Sequence, residues 1–247
     1  MIVSAYGRAT CAWQVGVLFL AAAGWSALAL RLWPATPALA ALAVIPCAVG
    51  LFVLSFYRDP ERSGPPDPDL LLSPADGTVT DIVPVDEPDY LRGRALRVGI
   101  FLSPLNVHVN RSPAAGTVRA VVHRPGKCLP ATGPACIDQN ASTLLGLETD
   151  RGLRLGVRQV TGALARTIVC GAAAGQRLGR GERYGMIKLG SRTELLVPLE
   201  AGFEPAVKIG QVVRGGETVL GRVGPTPAAG TSEGTRAAAL PAQERGR

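Results

Sequence analysis

Two long apolar segments near the N-terminus limit the possible folds of this chain more than any other feature. Residues 12–30 and 38–56 carry no charged side chain, and each is about as long as the 18 to 20 residues that an α-helix needs to cross a bilayer. The stretch between them, "RLWPATP", is short enough only for a hairpin connection. The sequence therefore predicts a membrane-anchoring helical hairpin over residues 1–57.

A cleaved signal peptide is the alternative, because Arg8 precedes the first apolar run and "ALA" at 27–29 resembles a cleavage site. Cleavage there would leave the second run in place, which favours the hairpin. Arg8 precedes the hairpin, Arg58 and Arg62 follow it, and Arg31 lies between its two runs. This distribution of basic residues predicts that both ends of the hairpin, and the domain that follows, lie on the cytoplasmic side of the cell membrane.

The charge and composition of the chain limit the classes of partner and the kinds of site that it is expected to have. The net charge is +7, and basic side chains near a bilayer are drawn to anionic headgroups by about 1 kcal/mol each. Aromatic residues make up 5% of the chain and do not alternate with a basic stripe, so we expect no nucleic-acid partner. The cysteines form no C-x-x-C pair and the chain has 2 histidines, so we expect neither a metal site nor a disulfide framework.

Beyond the hairpin, the pattern divides the chain into three parts. Residues 58–70 are rich in proline and charge, which is typical of a linker. Residues 71–224 consist of short apolar or alternating segments separated by glycine and proline, which predicts a mainly β domain. Residues 225–247 contain almost no large apolar side chains, and we expect a disordered tail.

An internal repeat refines the expected fold. "SPADGTVT" at 73–80 returns as "SPAAGTVR" at 112–119, and in each copy proline and glycine shape a turn before a strand. A third segment, "VKIGQVVRGGETVLGRV" at 207–223, places valines around glycine turns as lipoyl and biotinyl carrier domains do. These repeats predict a barrel-sandwich, lipoyl-like β domain.

Three polar residues could carry chemistry together. Asp76 is present in only one copy of the repeat, where Ala115 replaces it in the other, and this difference indicates either a separate task or an ordinary turn former. His108 and Ser191 complete a possible carboxylate, imidazole and hydroxyl set. The surroundings of Ser191 lack the G-x-S-x-G elbow of serine hydrolases. Gly190 instead leaves its carbonyl open to attack by the neighbouring hydroxyl.

Four motifs in order resemble one family. "FYRDPER", "SPADGTV", "FLSPLNVHVNRSPAAGTV" and "GMIKLGSRTELLVP" are similar to the short form of phosphatidylserine decarboxylase, a pyruvoyl-dependent enzyme made as a self-cleaving proenzyme. The resemblance runs from about Phe56 to Val223. It implies that the Ser191 hydroxyl attacks the Gly190 carbonyl, that the bond between them breaks, and that residue 191 becomes a covalent pyruvoyl group.

The resemblance also implies the reaction and its partners. The substrate is the phospholipid phosphatidylserine, whose amine forms a Schiff base with the pyruvoyl group before carbon dioxide is lost and phosphatidylethanolamine remains. The two cleaved chains would stay together as a heterodimer at the membrane, and a higher oligomer is open.

One departure from the family concerns the histidines. Longer bacterial relatives carry two histidines in the segment that corresponds to "NVHVNR", whereas this chain has His108 and, three residues later, Arg111. Our hypothesis is that His108 serves both self-cleavage and decarboxylation, that Asp76 orients it, and that Arg111 binds a substrate phosphate or carboxylate. Lys188 and His123 are left out of the expected catalytic set.

Two alternatives remain open at this point. The serine could belong to a relative that acts on another amino-acid headgroup or on a soluble amino acid. The hairpin and the repeats could also describe a membrane-anchored lipoyl-like adaptor or carrier domain without catalysis. A carrier needs a lysine at a hairpin tip, where this chain has Arg214-Gly215-Gly216.

Overall fold

The computed structural model describes residues 3–32, 44–130, 138–163, 167–188 and 191–224. Two helices precede the β domain, α1 (Arg8–Leu32) and α2 (Val44–Phe56). By length and composition, Arg8–Ala29 could span a bilayer, while α2 is a shorter apolar helix. The predicted second apolar run lies within the described residues only from Val44 onward. The predicted tail at 225–247 lies outside them.

The rest of the described chain forms short strands, because its apolar residues come in brief runs that glycine and proline interrupt. The strands are β1 (Leu70–Leu72), β2 (Gly77–Glu87), β3 (Gly93–Leu102), β4 (Val109–Arg111), β5 (Gly116–Arg124), β6 (Ser142–Thr149), β7 (Arg154–Val160), β8 (Thr167–Cys170), β9 (Arg177–Leu178), β10 (Arg183–Lys188), β11 (Ser191–Pro198), β12 (Glu204–Pro205), β13 (Val212–Val213) and β14 (Val219–Arg222).

These strands form three antiparallel sheets. The largest has the order β13-β2-β3-β11-β7-β6-β5-β9, and two smaller sheets have the orders β1-β14-β12 and β4-β10-β8. The main hydrophobic core lies beneath β11, where Leu195 and Val197 are fully buried. A second cluster on the other face of the large sheet is built on Leu196 and Tyr90. The sheet therefore curls and buries both of its faces, as the barrel-sandwich prediction requires.

The repeat predicted from the sequence has the same local structure in both copies. The Ser73 hydroxyl donates to the carbonyl of Ala75 at 2.7 Å, and the Ser112 hydroxyl donates to the carbonyl of Ala114 at 2.7 Å. The glycine that follows each turn is required by close approach. A Cβ atom on Gly77 would lie 2.1 Å from the carbonyl oxygen of Phe101, which is impossible without a shift of backbone.

The two copies also bind each other in a reciprocal way. The Leu72 N–H donates to the carbonyl of Pro113 at 3.0 Å, and the Arg111 N–H donates to the carbonyl of Pro74 at 2.9 Å. Each donor precedes the serine of its own copy, so the two turns are related by an approximate two-fold axis. The mainly β, barrel-sandwich domain behind a helical hairpin is confirmed.

The ends of the two helices are fixed to this domain. Phe56, Tyr57 and Cys11 pack with Met186 of β10. The Ser4 N–H donates to the carbonyl of Tyr57 at 2.9 Å, and this bond joins the chain before α1 to the chain after α2. The hairpin therefore meets the β domain at β10, the strand that precedes residues 189 and 190.

The segment expected to be a linker is held by buried ion pairs. Asp59 accepts from Arg111 at 2.9 Å and forms an ion pair with Arg183, whose Nε atom lies 2.7 Å from Asp59 Oδ2. Arg62 is bound to Asp76 by a bidentate contact whose second bond measures 2.8 Å. Residues 58–62 are therefore packed into the domain, because their charges find partners there.

Candidate active site

Ser191 is the first residue of β11, at one end of the large sheet. Its backbone pairs in register with Leu102, the last residue of β3, and the next residue pairs with Val160, the last residue of β7. Gly190 and the side chain of Ser191 lie outside what the structure describes. The backbone nevertheless fixes where the predicted scissile bond enters the sheet, between β3 and β7.

His108 is joined to β10, the strand that precedes residues 189 and 190. Its carbonyl accepts from the N–H of Ile187 at 3.2 Å, which continues the pairing of β4 with β10 toward residue 191. The imidazole is fully buried, and its ring stacks at a tilt on Phe56, with centroids 4.2 Å apart. The Nδ1 atom lies 2.9 Å from the carbonyl oxygen of Asn106. A carbonyl accepts only, so Nδ1 carries the proton of the neutral ring and Nε2 is left as the basic nitrogen.

The surroundings of His108 favour the neutral imidazole. Burial is the main cause, and it lowers the pKa of His108 to about 4. The hydrogen bond to Asn106 and the charge of Asp76 act in the opposite direction, while the charge of Arg58 lowers the pKa further. At neutral pH His108 can therefore accept a proton.

A buried amide and hydroxyl cluster aligns β4 with β11. The Asn110 Nδ2 atom donates to the Thr193 hydroxyl at 3.0 Å, and Gln159 Nε2 donates to Asn110 Oδ1 at 2.8 Å. All three side chains are fully buried. Asn110 stands two residues after His108 and Thr193 two residues after Ser191, so this hydrogen bond joins the strands that follow the two predicted site residues.

Asp76 is held at the base of the same site. One of its oxygens accepts from the N–H of Gly215 at 2.8 Å, and both oxygens are bound by Arg62. Its charge is the smallest of the influences on the pKa of His108, and it opposes the lowering of that pKa by burial. The other copy of the repeat has Ala115 at this position. Both residues fit the turn, so the turn alone does not require an aspartate.

Arg111, the predicted anion-binding residue, has protein partners in the structure. Its guanidinium is buried and donates to Asp59 at 2.9 Å, to the carbonyl of Pro60 at 2.7 Å and to the carbonyl of Gly181 at 3.1 Å. These contacts describe a structural role, in which Arg111 fastens residues 59 and 60 to the domain. Binding of a substrate phosphate or carboxylate by Arg111 stays a prediction.

The side chain after Ser191 anchors the start of β11. Arg192 is buried and donates to Thr80 at 2.7 Å, to Asp81 at 2.5 Å and to Glu194 at 2.7 Å. Gly99, on the neighbouring β3, leaves room for this guanidinium, because a Cβ there would lie 1.9 Å from its Nη2. The first residues of β11 are thus held in the sheet independently of the peptide bond that precedes residue 191.

Lys188 and His123, which were left out of the expected catalytic set, bind side chains other than the predicted site residues. The Lys188 ammonium donates to the hydroxyl of Thr10 in α1 at 3.0 Å. The Nδ1 atom of His123 lies 2.9 Å from the hydroxyl of Thr143. In the part of the chain that the structure describes, no group of three His, Cys, Asp or Glu side chains could hold a metal ion.

Sequence reasoning did not single out Arg58, Arg62, Asn110, Gln159 and Thr193. Two of them could have been found, because Asn110 and Thr193 each stand two residues after a predicted site residue. Arg58 and Arg62 lie within "FYRDPER", but Arg58 also binds the distant Leu105, and Arg62 binds Asp76 and Gly215. Gln159 gives no comparable signal, since only the pairing of β7 with β11 brings it to the site.

Comparisons with known proteins agree with these motifs. The family model described as "Phosphatidylserine decarboxylase" matches residues 49–221. A protein of Salinibacter ruber named "Phosphatidylserine decarboxylase proenzyme" is 45% identical over 198 residues, which cover 79% of this chain and 86% of that protein. Proteins of the same name from Symbiobacterium thermophilum and Gluconacetobacter diazotrophicus are 45% and 44% identical, over 77% and 83% of this chain and 93% and 91% of their own lengths.

Proposed function

The chain belongs to the phosphatidylserine decarboxylase family, and we propose that it converts phosphatidylserine to phosphatidylethanolamine with a pyruvoyl group made from its own Ser191. The proposal is supported by a buried His108 whose pKa is lowered to about 4, two residues before Asn110, which donates to Thr193 of β11. The match over most of the chain makes the adaptor and carrier alternatives unnecessary.

Self-cleavage would begin when His108 accepts the Ser191 hydroxyl proton and the oxygen attacks the Gly190 carbonyl. The peptide nitrogen leaves as the amine of residue 191, and an ester joins Gly190 to the serine oxygen. Loss of the Cα proton then breaks the carbon–oxygen bond of that ester and frees the Gly190 carboxylate. The enamine left at residue 191 takes up one water and releases ammonia, which leaves a ketone.

The residues present fit a group at this position. The pairing of β11 with β3 on one side and β7 on the other does not depend on the peptide bond before residue 191. Arg192 adds three side-chain partners within two strands. Residue 191 would therefore keep its place in the large sheet when it becomes a chain terminus.

A pyruvoyl group condenses with the substrate amine and supplies an electron sink for the loss of carbon dioxide. The chain would supply the group that transfers protons and a site from which water is excluded. We propose that His108 serves both steps and returns a proton to the substrate carbon, and that the charge of Asp76 supports the imidazole when it carries that proton. Burial of His108, Asn110 and Gln159 excludes water from this end of the sheet.

We further propose that residues 1–57 anchor the enzyme in the membrane and that residues 71–224 form the catalytic domain on the cytoplasmic side. The apolar character of Arg8–Ala29 supports the first statement, and the distribution of basic residues supports the second. The partners are then the phospholipid bilayer and the two chains of the cleaved protein itself, 1–190 and 191–247.

Mass spectrometry of the purified protein tests the proposal. We expect two fragments, and the smaller one should be lighter by one ammonia than a fragment that starts with an ordinary serine. Ser191→Ala should remain a single species of 25.6 kDa without decarboxylase activity. Ser142→Ala, which changes a buried serine at the start of β6, is the matched control and should be cleaved and active. A wild-type chain that stays whole while releasing carbon dioxide would contradict the pyruvoyl mechanism.

A further inference from the structure

The turn at residues 103–106, between β3 and His108, presents a large aliphatic side chain to solvent. Leu105 is 70% exposed. The turn itself is well fixed, because the Asn106 Oδ1 atom accepts from the N–H of Ser103 at 2.8 Å and from the Ser103 hydroxyl at 2.9 Å. The Asn106 N–H donates back to the carbonyl of Ser103 at 3.0 Å. Leu105 is therefore held outward by a rigid turn.

This turn is joined to the end of the helical hairpin by one arginine. Arg58 donates to the carbonyl of Leu105 at 2.6 Å and to the carbonyl of Ser55, in the last turn of α2, at 2.7 Å. One turn earlier in α2, Leu51 and Phe52 are 65% and 40% exposed. Leu105 thus stands next to the apolar surface of α2, with a guanidinium at the junction. An apolar surface edged by arginine is typical of protein at the headgroup level of a bilayer.

The same turn also contacts the candidate catalytic imidazole. The carbonyl of Asn106 lies 2.9 Å from His108 Nδ1. A single exposed leucine elsewhere on a protein surface needs no explanation. This one is connected to α2 on one side and to His108 on the other, within a few residues.

We propose that the turn at residues 103–106 is a membrane-contact element, in which Leu105 inserts into the interfacial layer of the bilayer beside α2 and keeps His108 at the depth of the lipid headgroup. The proposal rests on the proposed function, because it takes the substrate to be a lipid in the bilayer. It adds a second contact with the membrane, made by the catalytic domain itself.

Fluorescence quenching tests the contact directly. The full chain would carry Leu105→Trp with its three native tryptophans, Trp13, Trp25 and Trp33, changed to phenylalanine, in vesicles of phosphatidylcholine and phosphatidylserine. We expect weaker fluorescence when the acyl chains are brominated. Leu199→Trp in the same background is the control, because Leu199 is 40% exposed and follows the far end of β11, and it should be unaffected. Equal fluorescence of the tryptophan at position 105 in both kinds of vesicle would overturn the proposal.

Enzyme kinetics test what the membrane contact of Leu105 does for the reaction. Leu105→Asp should raise the KM for phosphatidylserine in vesicles on the order of tenfold, the value of one buried aliphatic side chain. Self-cleavage and decarboxylation of a dispersed short-chain phosphatidylserine should not change, and Leu199→Asp should match the wild type throughout. An unchanged KM on vesicles, or an equal loss with both substrates, would overturn the proposal. An uncleaved, inactive wild-type chain would refute the proposed function instead.

Discussion

At the level of single residues, the difference between the two copies of the repeat separates structure from chemistry. Both copies form the same serine turn and both need the glycine that follows it. Only the first copy carries a carboxylate, Asp76, and that carboxylate is bound by Arg62 and acts on His108. The repeat therefore supplies the same turn in both copies, and a negative charge in only the first of them.

The pH behaviour of His108 follows from its burial. The pKa of His108 is lowered to about 4 from an ordinary value of about 6.5, so the folded protein binds fewer protons than the unfolded chain between these values. The stability contribution of the neutral imidazole is complete above about pH 6.5 and is lost as the pH falls toward 4. The chain has 2 histidines, so histidine-labelled NMR of the uncleaved Ser191→Ala protein should follow His108 directly.

The assignment and control come from His123→Asn, which leaves His108 as the one remaining histidine signal. We expect that signal to titrate far below pH 6. His108→Gln should also flatten the loss of melting temperature between pH 6.5 and 4. A His108 signal that titrates at its ordinary value would show that the imidazole is solvated and would remove the argument for a neutral base.

At the level of strands, the hydrogen bond between Asn110 and Thr193 aligns β4 with β11. Thr193→Val keeps the shape of the side chain but leaves the buried Asn110 amide with only its long, 3.5 Å contact to the carbonyl of Pro74, which costs about 1–3 kcal/mol. We expect the precursor to accumulate, because a small displacement of the start of β11 relative to His108 slows an intramolecular attack severely. Pulse-chase labelling of the precursor measures this rate.

Rescue by a conservative change distinguishes alignment from general damage. Thr193→Ser keeps the hydroxyl and should be cleaved nearly as fast as the wild type. Thr143→Val removes another buried threonine hydroxyl from the same sheet, the one beside His123, and should leave cleavage unchanged. If Thr193→Val matured at the normal rate, the cluster would have no positioning role.

The sequence predicted the strands better than their arrangement. Short apolar or alternating runs between glycine and proline turns indicate where β2, β5 and β11 lie, because such runs are typical of strands. The order of the eight-stranded sheet could not be predicted, since β11 pairs with β3 and β7 through contacts distant in sequence. The partners of Arg62 and Arg111 could not be predicted for the same reason, because they come from loops more than ten residues away.

For the whole molecule, the position of the predicted cleavage point determines how the two chains are held together. The smaller chain would supply β11 to the middle of the large sheet, β13 to its edge and β14 to the sheet that contains β1. Several of its apolar residues are buried in the main core, and Leu195 and Leu220 are fully buried there. Neither chain can complete a core alone, so they should separate only when the domain unfolds.

Unfolding of the processed protein is then also a dissociation, which makes its midpoint depend on concentration. We expect the melting temperature of the β domain to rise with protein concentration in detergent solution, and the two fragments to co-elute in high salt because apolar burial holds them. The uncleaved Ser191→Ala protein unfolds within one chain, so its melting temperature should stay constant over the same range. Two results would show that β11 does not hold the two chains together. One is a smaller fragment that elutes separately without denaturant, and the other is a processed protein whose melting temperature does not change with concentration.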